Sequence, residues 1–183
     1  EQLPLPVDRL LIRQWKRLGI TPSEPADDAT FIRRVSVDIC GTLPTRGEVE
    51  AYVADIRSSK RARLIDRLLE RPEYASHFAL KWADILRNRG SGYATSQQRA
   101  GTALFSGWIR DSLAANKPYD QFVAEIITAS GNQNENPPTI WYRQVRTQPD
   151  YVESVAQAFL GVRIQCAQCH HHPFDRWSQA DYY

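Results

Sequence analysis

Apolar residues recur at spacings of three and four along most of the first 130 positions, and no stretch alternates strictly between apolar and polar. That period is the helical one. It predicts a first helix over residues 7–18, burying Leu10, Leu11, Trp15 and Leu18 and ending at Gly19 ahead of Pro22. A second helix over 28–39 takes Asp27 or Asp28 as N-cap and stops at Gly41. Thr45 with Glu48 has capping-box spacing and opens a helix to about residue 56. Another follows over 61–70, with Leu64, Ile65, Leu68 and Leu69 on its apolar side. Pro72 suits the first turn of the next helix, which carries Tyr74, Phe78, Trp82, Ile85 and Leu86 toward a core.

Residues 88–93 read as a loop, 96–115 as a long helix, and Pro118 as a break before a shorter helix over 119–129. The polar run 131–138 is turn-rich and reads as a surface loop. A last helix over 150–164 leads straight into a cysteine-containing segment. The expectation is an all-α fold, an irregular multi-helix single domain with long loops near the C-terminus.

Length and composition narrow this picture. A chain of 183 residues suits one domain, and 42% hydrophobic with 24% charged residues is ordinary for a water-facing protein. No apolar run reaches membrane-span length. Basic and acidic residues number 23 and 21 and are interspersed, which argues against nucleic acid as a partner. The absence of any methionine, the initiator included, fits a mature chain whose targeting segment has been removed.

Three cysteines are no disulfide framework: Cys166 and Cys169 form a close pair and Cys40 stands apart, a buried free thiol by default. The run Cys166-Ala167-Gln168-Cys169-His170 has c-type haem spacing. Two thiols three positions apart can form thioethers to the two vinyl groups of one haem, and the adjacent imidazole can ligate its iron. Cys166 and Cys169 are thus candidate attachment residues and His170 the candidate proximal ligand. The same donors also admit zinc, held by Cys166, Cys169 and His170 or His172, although no second cysteine pair or finger-spaced histidines accompany them. A thioredoxin-like dithiol would need a strand before the pair, and an inert pair is the remaining reading.

Pro173 biases His172 away from helical geometry, so His170, His171 and His172 point in different directions. His172 is a candidate hydrogen-bonding support or metal ligand, and His171 reads as an exposed imidazole. Methionine cannot be a distal iron ligand here, since the chain has none. His77 shares the polar side of its helix with Lys81, Asp84 and Asn88, which predicts an outward-facing residue rather than a distal ligand. An open iron or a ligand from beyond Tyr183 are the other options. Trp141, Tyr142, Phe159, Phe174 and Trp177 read as core before cofactor wall, and Asp175 with Arg176 as a local salt bridge before a haem-propionate contact.

Several segments together resemble a known family. Residues 31–38 (Phe-Ile-Arg-Arg-Val-Ser-Val-Asp) with Gly41-Thr-Leu-Pro-Thr45, then 64–69, 81–84, 108–110, 116–120 and the closing run 161–174, are similar to the planctomycete cytochrome-type domain of unknown function. The resemblance covers residues 5–183. It implies haem or metal binding at the cysteines, a domain within a larger secreted protein, and a periplasmic or extracellular location. It also implies a redox partner protein or neighbouring cytochrome module, with electron transfer as the function, but no assigned reaction. The family pattern extends to a second histidine, here His172, while Cys40 departs from it.

Overall fold

Local capping sets most of the helix boundaries. In a computed structural model that describes residues 5–90 and 95–183, the chain forms α1 (Pro6–Leu18), α2 (Asp28–Cys40), α3 (Arg46–Ala54), α4 (Lys60–Leu69) and α5 (Pro72–Ile85). They are followed by α6 (Ser96–Ala114), α7 (Tyr119–Ile127), α8 (Gln148–Phe159) and α9 (Gln179–Tyr182), with 3-10 turns at Pro137–Arg143 and Gln165–Gln168. No strand occurs among the described residues, so the architecture is all-α as expected. Asp27 caps α2 by accepting from the Thr30 amide at 2.7 Å, and the Thr45–Glu48 box closes at 3.3 and 2.6 Å. Residues 88–90 lie outside any helix, and the rest of the loop expected over 88–93 lies outside the described residues.

Three apolar clusters hold the chain. One joins α2, α3 and α4 through Ile32, Cys40, Tyr52, Leu64 and Leu68. The largest joins α5, α6, α7, the 3-10 turn Pro137–Arg143 and α8 through Ala79, Leu86, Phe105, Ile109, Phe122, Ile126, Trp141 and Phe159. Phe105, Ile109 and Ile126 are wholly enclosed, and each such side chain contributes about 1.5–3 kcal/mol of apolar burial. The third cluster, Ala156, Ile164, Ala167 and Tyr182, lies under the cysteine segment.

The structure corrects several expectations. Helix α1 buries none of its residues: Leu10, Leu11 and Leu18 are exposed and Trp15 is half-buried. Periodicity identifies an apolar face but not whether another element covers it. In α5 the buried positions are the small Ala75 and Ala79, where close approach to α2 and α6 leaves no room for larger side chains. Tyr74, Phe78 and Trp82 flank that contact half-buried, Ile85 is exposed, and only Leu86 is buried as expected. Helix α3 ends at Ala54, leaving Ile56 98% exposed. Helix α7 stops at Ile127. Of the expected surface loop over 131–138, Pro137 and Pro138 instead open the 3-10 turn, where Pro137 is half-buried and Pro138 buried.

His77 is not outward-facing. Its ring is half-buried against Gly41, which holds φ +70 and has no side chain to obstruct it. Asn88 likewise turns inward, donating to the Thr102 carbonyl and Ser106 hydroxyl at 3.0 and 2.9 Å. Cys40 is buried as expected; its thiol donates to the Leu68 carbonyl at 3.5 Å, and burial pushes its pKa up.

Candidate functional site

Helix α8 connects the main core to the cysteine segment because it is apolar on two sides. Tyr151, Val155, Ala158 and Phe159 face the main core, while Val152 and Ala156 face the small cluster beneath the cysteines. The helix does not run on to residue 164. It stops at Phe159 because Gly161 takes the left-handed conformation, φ +68, and the Val162 amide turns back to the Ala156 carbonyl at 3.0 Å. The chain then enters the 3-10 turn Gln165–Gln168, started by the Ala167 amide donating to the Ile164 carbonyl at 2.8 Å.

A 3-10 turn has about three residues per turn, so positions i and i+3 eclipse. Cys166 and Cys169 therefore share one side, and both are free thiols exposed to solvent. Ala167, at 0% exposure, faces the opposite way into the small cluster with Ile164 and Tyr182. The apolar side of the turn anchors it and the thiol side is presented.

His170 follows, exposed, with Nδ1 2.5 Å from the His171 carbonyl oxygen. A carbonyl only accepts, so Nδ1 carries the proton, and in the neutral ring Nε2 is left as an unprotonated lone pair. His172 has the opposite arrangement. The Phe174 amide donates to its Nδ1 at 3.3 Å, and its Nε2–H donates to the Arg163 carbonyl at 3.1 Å. The His172 backbone amide also donates to the Trp177 carbonyl at 2.8 Å. His171 is exposed, as expected.

Helix α9 closes the lobe. Ser178 and Asp181 form a capping box, with Ser178 N–H to Asp181 at 2.7 Å and Asp181 N–H to the Ser178 hydroxyl at 3.2 Å. Hydrogen bonds from the Ser178 amide and hydroxyl hold the Asp181 carboxyl below its ordinary pKa. Tyr182 is buried and donates to Glu153 on α8 at 3.0 Å. Burial, reinforced by that carboxylate, pushes the phenol up to about 12. Gln179 donates to the Gln168 carbonyl at 2.9 Å, tying α9 to the cysteine turn. The Trp177 indole N–H is buried with no acceptor among the described residues.

Of the aromatics read as core, Trp141, Tyr142 and Phe159 pack in the main core as expected, whereas Phe174 is 95% exposed. The Asp175–Arg176 salt bridge is replaced by an Asp175 contact to the Arg176 amide at 2.7 Å, with the guanidinium 5.0 Å over the Trp177 ring. His77 belongs to the α2–α5 contact. Among the described residues no three His, Cys, Asp or Glu side chains converge as a metal-holding group. The sequence reading missed the Ser178–Asp181 box, which its spacing could have disclosed, and the Arg163 and Trp177 carbonyls, which no side-chain pattern announces.

The donor set of the turn fits a c-type haem: two free thiols on one exposed side, then an exposed imidazole whose Nδ1 is engaged by the His171 carbonyl. No curated protein and no solved structure matches the chain. A family model described as PSCyt2, protein of unknown function (DUF1549), matches residues 6–183, and the chain belongs to that family.

Proposed function

We propose that Cys166 and Cys169 hold a covalently attached c-type haem, that His170 is its axial ligand, and that the domain passes electrons within a larger extracytoplasmic protein. The observation that carries this reading is the state of His170. Donation of Nδ1–H to the His171 carbonyl fixes the tautomer in which Nε2 is free, beside two thiols on the same exposed side. A ligating histidine is commonly oriented in this way by a backbone carbonyl on its other nitrogen, which also raises its basicity.

When bound, the group supplies reversible one-electron iron chemistry. The chain's own contribution is positional. Ala167 and Ile164 fix the inner side of the turn, and Gln179 and Tyr182 brace it from α9. The partner is a redox protein or a neighbouring cytochrome module reached across this exposed lobe.

The test is expression in the periplasm of cells with c-type haem maturation, beside a control cytochrome that loads in the same cells. The expected product shows a Soret band and keeps a haem-sized mass increment after denaturation. Cys166→Ala with Cys169→Ala loses both, and His170→Ala keeps the mass but changes the spectrum. A colourless protein from cells that load the control overturns the proposal, and stoichiometric zinc in that protein would assign the cysteines to a structural metal site.

A further inference from the structure

We infer that His172 is a positioning residue, a clasp that closes the base of the Cys166–His170 excursion, and that it ligates neither the haem iron nor zinc. The inference deepens the haem reading and rests on it for its consequence, but the clasp itself is a property of the chain alone. Four observations carry it.

The first is the opposed pair of tautomers. His170 has its proton on Nδ1 and a free Nε2, whereas His172 must accept at Nδ1, because an amide can only donate there, and must donate from Nε2, because a carbonyl can only accept. Both nitrogens of His172 are therefore engaged in the neutral ring, and ligation by either would cost a hydrogen bond.

The second is where those bonds lead. Arg163 lies before the cysteine turn and Phe174 after it, so one ring joins the two ends of the excursion. The His172 amide adds a third tie, to the Trp177 carbonyl. The third observation is what holds the rest of the loop. The inner side of the turn is pinned by Ala167 and Ile164 packing under α8 and α9, but His170 and His171 are exposed and make no apolar anchor. Their placement depends on the clasp. The fourth is the exposure of Arg163 and Phe174: water can satisfy their backbone groups if the ring is removed, so its loss moves the loop without unfolding the domain.

Four forms of the 183-residue chain, wild type, His172→Ala, His172→Gln and His170→Ala, are compared in two states, haem-free and haem-loaded. In the haem-free protein, nitrogen-detected imidazole spectra are expected to show His172 with its proton on Nε2 and His170 with its proton on Nδ1. Alkylation of the two cysteines is expected to change several-fold in His172→Ala and to return toward wild type in His172→Gln, whose amide can still donate to Arg163. In the haem-loaded protein, His172→Ala is expected to keep the covalent haem and the thermal midpoint but to give mixed axial-ligation spectra, with His172→Gln restoring a single species.

A His172→Ala spectrum identical to that of His170→Ala would make His172 a ligand and overturn the inference. So would a His172 ring protonated on Nδ1, or thiol reactivity and spectra in His172→Ala that match wild type. If wild type takes up no haem at all, the haem proposal fails alone, and the tautomer and alkylation results still decide the clasp.

Discussion

The main core and the cysteine lobe share α8 yet are built on different principles. The core between α5 and α8 is made of large apolar side chains, Phe105, Ile109, Phe122 and Trp141, packed in aromatic contacts such as Trp108 on Phe122 at 5.1 Å between ring centroids. The cysteine lobe has the small buried set Ala156, Ile164, Ala167 and Tyr182 beneath it, with Val152, Val162 and Trp177 half-buried against it, and makes up the difference with directional bonds: His172 to Arg163, Tyr182 to Glu153, Gln179 to Gln168, Ser178 to Asp181. Apolar burial is non-directional and sets stability, whereas hydrogen bonds, modest in net energy, fix geometry. The proposed haem attachment, which would hold two thiols and one imidazole nitrogen in register, calls for the second kind of support.

The largest expected effect falls on the core. Phe105→Ala removes a wholly enclosed ring from the centre of the cluster and is expected to cost about 3–5 kcal/mol. Urea denaturation followed by circular dichroism measures it. Because α8 serves both regions, one transition is expected for core and cysteine lobe together. Two separated transitions, or a cost under about 1 kcal/mol, would mean that the two regions are not coupled through α8.

A smaller effect with a different location is expected from Ala167→Leu. Ala167 has 0% exposure and sits between Ile164 and Tyr182; the added atoms must displace one of them, at about 1–3 kcal/mol. Amide exchange should accelerate more at Ala167, whose N–H donates to the Ile164 carbonyl, than around Phe105 in α6, where only the loss in shared global stability is felt. Equal loss of protection in both places would contradict the separation of the two regions.

These two sites also differ in how far the sequence disclosed them. Helical periodicity, Asp27, Thr45–Glu48 and Pro72 marked the starts of α2, α3 and α5 correctly, because caps and apolar spacing are local properties of the chain. The cysteine spacing pointed to the candidate site, and the structure sets that spacing on a 3-10 turn. What the sequence withheld was tertiary. The apolar stripe of α1 predicts burial that no element among the described residues provides, and His77, polar by position, is drawn against Gly41 because that turn presents no side chain. Gly161 was in plain view as a helix stop within the run read as helix to residue 164. The opposed tautomers of His170 and His172 depend on the carbonyls of His171 and Arg163, and backbone partners of that kind leave no mark on residue identity.

The smallest effect concerns pH and the polar brace of the lobe. The Asp181 carboxyl is held below its ordinary value by the Ser178 amide and hydroxyl, so its ionised form binds more tightly in the folded chain. A group depressed in this way stabilises the fold above its unfolded pKa of about 3.9 and loses that contribution as pH falls through the lower, folded value. The same sign applies in the N-terminal region to Glu48, held down first by the Thr45 amide and hydroxyl and then by Arg71. Acid should therefore loosen both caps, but with different consequences. Helix α3 is also held by buried Tyr52 in the α2–α4 cluster, whereas α9 is a four-residue helix with Tyr182 as its single buried residue. Amide exchange at Asp181 and Tyr182 is expected to rise before exchange at Val49 as pH is lowered from about 5 toward 2. Asp181→Asn keeps an acceptor for the Ser178 amide but has no proton to gain, so it should abolish the acid response of α9 and leave that of α3 unchanged. An unaltered response in that variant would place the acid-sensitive group elsewhere in the lobe.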